Sequence, residues 1–107
     1  MTKNEFIATI NNFVGDIIER DDEIVFCAMN ELTKTETIET DKGQQFVRRT
    51  KKVYCEFSFS EERNLLKGYE ETNEILGEFS FPSPTRENLI DRLKYYRFRE
   101  KEWYPLI

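Results

Sequence analysis

The sequence predicts an α+β domain: an antiparallel sheet of three or four strands, including a long projecting β-hairpin, covered on one face by an N-terminal and a C-terminal helix. Three observations carry this expectation. Apolar residues recur at helical spacing near the amino terminus, two strand-like segments flank Asp41-Lys42-Gly43, and the tetrapeptide Glu-Phe-Ser-Phe occurs at 56–59 and again at 78–81. The 107 residues suit a single domain, 1–107, with one hydrophobic core. Nine Phe, five Tyr and one Trp argue for a packed chain, because disordered chains are poor in aromatics. Four Gly and three Pro leave no linker-like stretch.

The first element is a helix over about 3–20. Thr2 and Glu5 have capping-box spacing, and Phe6, Ile7, Ile10, Phe13, Val14, Ile17 and Ile18 follow at helical intervals. The segment 23–32 then reads as a strand, followed by threonine alternating with charge. Asp41-Lys42-Gly43 suits a three-residue hairpin that sets Thr40 opposite Gln44. That register places Val25, Cys27 and Met29 opposite Phe59, Phe57 and Cys55 on the core face, and Glu36 opposite Arg48. The outer half of the hairpin, roughly 33–51, is polar on both faces and is expected to project into solvent.

In both copies of the repeat, Phe alternates with Glu and Ser, the pattern of a half-buried strand. Each copy is followed by Ser, Arg and Asn-Leu, so strand-then-helix used twice is the expectation, with Ser60 and Ser83 as N-caps and Gly68 ending the first helix. Residues 69–74 fit either a loop or a small hairpin turning at Thr72-Asn73. The last helix is expected from near Pro84 to about Lys101, with Leu89 and Leu93 inward and Tyr95 and Phe98 outward. The expected core is Phe6, Ile10, Phe13, Ile17, Val25, Cys27, Met29, Cys55, Phe57, Phe59, Phe79, Phe81, Leu89 and Leu93.

Composition narrows the function. A net charge of −5 disfavours general attraction to nucleic acid or to anionic membrane. No stretch is apolar and uncharged for long enough to span a bilayer, and the amino terminus lacks a signal-peptide run, so the expected location is cytoplasmic. There is no histidine, which removes the commonest general base and the commonest metal ligand. Cys27 and Cys55 read as buried free thiols. No catalytic, cofactor-binding or metal-binding residue is expected, and no cofactor; the carboxylate pair Glu56 and Glu78 reads as the solvent side of a sheet.

Binding is the remaining class. Tyr95, Phe98 and Trp103, rimmed by Arg92 and Arg99, are expected to border a protein partner or a second copy of the chain in a homodimer, because exposed aromatics beside arginine are characteristic of interfaces. Glu61, Glu62, Glu70, Glu71 and Glu74 form an acidic run that could imitate nucleic-acid phosphates. The lysine-, glutamate- and asparagine-rich style is similar to that of small proteins of phages and mobile elements. The expectation is a small acidic, non-enzymatic protein that binds and inhibits a macromolecular partner, such as a nucleic-acid-processing defence enzyme. The alternative is an accessory nucleic-acid-binding domain that uses the basic-aromatic C-terminal segment.

Overall fold

The computed structural model describes residues 1–71 and 75–102. It is α+β: a helix α1 (Lys3–Ile10), strands β1 (Asp16–Arg20), β2 (Glu23–Thr40), β3 (Gly43–Ser60), β4 (Leu65–Glu71) and β5 (Ile75–Pro82), then a helix α2 (Arg86–Tyr95). The strands form one antiparallel sheet in chain order, β1 to β5. Both helices lie on the same face. The sheet has five strands where three or four were expected: β1 and residues 65–68 of β4 were both expected to be helical.

Residues 16–20 were expected to be helical. Thr2 caps α1 as its spacing implies, its hydroxyl accepting from the Glu5 amide at 3.1 Å. The helix nevertheless ends at Ile10, before Asn11-Asn12, two residues of low helix propensity. Apolar pairs at 13–14 and 17–18 fit a helical stripe, yet β-branched Ile17 and Ile18 suit a strand equally well. Gly15 settles the matter sterically. A Cβ there would stand 2.6 Å from the Phe26 ring and 2.8 Å from the Cys27 carbonyl, so the chain runs hard against β2 at this point. Ile17, expected in the core, is 42% exposed.

The long hairpin forms as expected but in a register shifted by one residue. Its strands close over Asp41-Lys42, with Thr40 opposite Gly43 and Gly43 at a φ of +107° that glycine tolerates. A one-residue slip exchanges the faces of a strand. Phe26, not Cys27, therefore opposes Phe57, and Ile24 opposes Phe59, while Glu36 opposes Val47 instead of Arg48. The core face takes the larger side chains Ile24 and Phe26, and Met29 is left 60% exposed. Val25 and Cys27 are buried on the opposite face. Residues 24–29 are apolar at both parities, so hydrophobic pattern could not choose between the registers; the turn did.

After Ser60 the chain makes a turn, not the expected helix. Ser60 does cap, its hydroxyl accepting from the Arg63 amide at 3.2 Å, but Asn64 then adopts a φ of +49° and β4 begins. Gly68 lies inside β4 and ends no helix. It stands between Phe57 and Phe79, whose rings would come within 2.5–2.6 Å of a Cβ at that site. The two Glu-Phe-Ser-Phe copies flank β4 in one register: Glu56, Tyr69 and Glu78 form one cross-strand row, and Phe57, Gly68 and Phe79 the next. The expected turn at Thr72-Asn73 lies outside the described residues.

Thr85, not Ser83, caps α2 in a capping box with Asn88. The helix stops at Tyr95, well short of Lys101. The Phe98 amide donates to the Leu93 carbonyl at 2.9 Å and the Arg97 amide to that of Lys94 at 3.1 Å. With Arg97 at a φ of +64°, this is a Schellman end, which folds Phe98 back against the helix it leaves. Phe98 and Tyr96 are consequently buried and pack with Phe57 at 5.0 and 5.6 Å between ring centroids. Phe6 of α1 meets Phe59 at 5.3 Å, closing the other end of the core.

Candidate partner-binding surfaces

The structure disperses the residues expected to form one interface. Tyr95 is exposed, 70%, at the end of α2. Arg92 lies over the Phe81, Phe79 and Tyr95 rings at 5.0, 5.2 and 5.7 Å, so its guanidinium is held by stacking. Phe98 is 4% exposed and stacks on Phe26 at 4.9 Å; it cannot border a partner, because the Schellman end turns it inward. Arg99 is exposed, but in a different groove, beside Arg97 and Met29 at the base of the long hairpin. Trp103 and Glu74 lie outside the described residues.

The glutamates also separate. Glu61 and Glu62 are exposed in the turn before β4, where the Glu61 carboxylate accepts from the Lys3 amide at 2.6 Å. Glu70 and Glu71 sit at the far end of β4, roughly 20 Å away along the strand. Glu70 is engaged by Arg97 at 2.8 Å with 12% of its side chain exposed. The run is acidic in sequence without being one acidic patch.

The open face of the sheet carries a groove of about 630 Å³ bounded by Arg20, Glu56, Lys67, Tyr69 and Glu78. Three of its polar groups are matched to one another. The Tyr69 hydroxyl donates to Glu56 at 2.5 Å, and Arg20 pairs with the same carboxylate at 3.3 Å. The bond to Glu56, followed by burial, raises the Tyr69 pKa, and burial pushes Tyr54 up to about 12. Glu56 and Glu78 do share this face, with Tyr69 on the strand between them. On the core side, burial pushes the Cys55 thiol up to about 11, so it stays protonated and unreactive near neutral pH.

The outer half of the β2–β3 hairpin is a two-stranded ribbon standing clear of the core. Thr33–Thr37 and Gly43–Phe46 are exposed, with Phe46 75% exposed. The side carrying Thr33, Thr35, Thr37 and Thr50 ends at Phe46; Lys34, Arg49 and Lys51 adjoin on the other side, where Arg49 pairs with Glu36 at 3.1 Å. Residues 31–52 hold six basic and four acidic groups, while the rest of the chain holds ten against seventeen. A mildly basic arm thus projects from an acidic body. Comparison with protein-family models, curated proteins and solved structures finds no match to this chain. Sequence reasoning located the arm but assigned it no contact residue; Phe46, a lone aromatic in a polar ribbon, was the available signal.

Proposed function

We propose that this chain is a non-enzymatic binding protein that seizes a macromolecular partner with its β2–β3 arm and inhibits it by covering its surface. The observation that carries the reading is the arm itself. Fixing the backbone of a residue costs about 1–2 kcal/mol in conformational entropy, and the arm's exposed residues recover little of that by burial in this chain's own core. An ordered, exposed ribbon with an aromatic near its tip is suited to burying surface on something else. The acidic body favours a partner whose surface is basic, such as an enzyme that handles nucleic acid. The C-terminal basic-aromatic segment offers weaker support for direct nucleic-acid binding, since Tyr96 and Phe98 are buried and Arg97 is committed to Glu70.

The test is to trim the arm without touching the body. Replacing residues 33–50 by Asn-Gly joins Leu32 to Lys51, which already oppose one another, through a two-residue turn. The trimmed chain should keep its melting temperature within a few degrees. Immobilised beside the full chain in lysate of its native host, it should fail to retain a protein that the full chain and a Thr35→Ser control both retain. Phe46→Glu should weaken that retention as well. Equal retention by trimmed and full chains would sink the proposal, and affinity for DNA or RNA that falls steeply with salt would favour the nucleic-acid reading instead.

A further inference from the structure

The two edges of the sheet are defended unequally. β5 ends in Pro82, and the β4–β5 ladder is broken by a register shift at Glu70/Glu71; both devices discourage another strand from adding there. β1 has neither. Its five residues pair with β2 in unbroken register, all are exposed, and β-branched Ile17 and Ile18 are 42% and 39% exposed. Among the described residues β1 has one strand neighbour, so a row of its backbone amides and carbonyls is available for pairing.

We propose that the β1 edge pairs with β1 of a second copy, joining two sheets into one of ten strands. The charge pattern of Asp16-Ile17-Ile18-Glu19-Arg20 is what selects a copy of itself. Antiparallel pairing of identical edges places a two-fold axis normal to the sheet, which keeps each residue on its own face, so a residue can oppose only one of its own parity. Three registers remain within the strand. Centred on Glu19, the pairing sets that carboxylate against itself. Centred on Ile17, it brings no opposite charges together. Centred on Ile18, it opposes Asp16 to Arg20 at both ends and Ile18 to Ile18 at the axis, all on the open face of the sheet. Arg20 already pairs with Glu56, but its side chain is 58% exposed and a guanidinium has five donors, enough for both carboxylates.

The test uses full-length protein and sedimentation equilibrium from micromolar to millimolar concentration. The wild-type chain should approach twice its 12.9 kDa mass as concentration rises. Ile18→Lys, which sets like charges on the axis, should raise the dimer dissociation constant by roughly tenfold or more while the chain stays folded. Asp16→Arg alone and Arg20→Asp alone should each weaken self-association. Mixed in equal amounts, the two single variants should form a heterodimer, because positions 16 and 20 then carry opposite charges in both cross-strand pairs. A wild-type chain that stays monomeric throughout, a dimer indifferent to Ile18→Lys, or single variants that fail to associate on mixing would each overturn the proposal.

Discussion

Gly68 shows how one missing methyl group organises the core. The Phe57 and Phe79 rings meet edge to face, 5.0 Å apart, over the position where its side chain would stand. Gly68→Ala should therefore lower stability by about 1–3 kcal/mol in denaturant unfolding, the usual cost of forcing volume into a packed site. Tyr69, the next residue, governs a different variable. Its pKa and that of Tyr54 are raised in the fold, Tyr54 to about 12, whereas an unfolded tyrosine ionises near 10. The folded chain thus holds these protons more tightly than the unfolded one. The stability they contribute is complete below pH 10 and falls as pH rises from about 10 towards 12. Tyr69→Phe should flatten that decline in alkaline melting curves; a decline of unchanged steepness would place its origin elsewhere.

Among the elements, α2 illustrates what a sequence conceals. Leu89 and Leu93 face the sheet as their spacing requires, but continuing the period past Tyr95 turns Phe98 outward, and the real chain buries it. Helices usually announce a Schellman end with glycine; here arginine occupies the left-handed position and gives no notice. Phe98→Ala should cost about 3–5 kcal/mol, as for other buried aromatics, whereas Tyr95→Ala should stay within about 0.5 kcal/mol. Paired melts of the two variants check this directly. The same kind of ambiguity hid β1, since Val14, Ile17 and Ile18 keep helical spacing while their β-branching suits a strand, and the close approach of Gly15 to Phe26 excludes the helix. The N-terminal cap, the long hairpin, strand β5 and the inward face of α2 were all legible, because each rests on short-range chemistry. The hairpin register and the dispersal of the expected interface were not, because both depend on where the chain turns. The two copies of the repeated tetrapeptide lie in the strands on either side of β4 and solve one packing problem from both sides.

For the whole molecule, the division into an acidic body and a basic arm would, on the proposed function, separate stability from recognition. The buried aromatics lie in the inner halves of β2 and β3 and in the elements around them, so exposed residues of the arm can change without disturbing the core. That arrangement also stretches the particle to 60 × 43 × 22 Å. Its Cα radius of gyration is 17.4 Å, against about 13 Å for a compact chain of this length. Friction with solvent follows shape as well as mass. The single chain should therefore tumble anisotropically, faster about the ribbon's long axis than across it, and diffuse as though it were a heavier sphere. It should leave a sizing column early enough to pass for a compact dimer, whereas scattered light, which weighs the particle, should report one chain's mass wherever the protein is dilute enough to be monomeric.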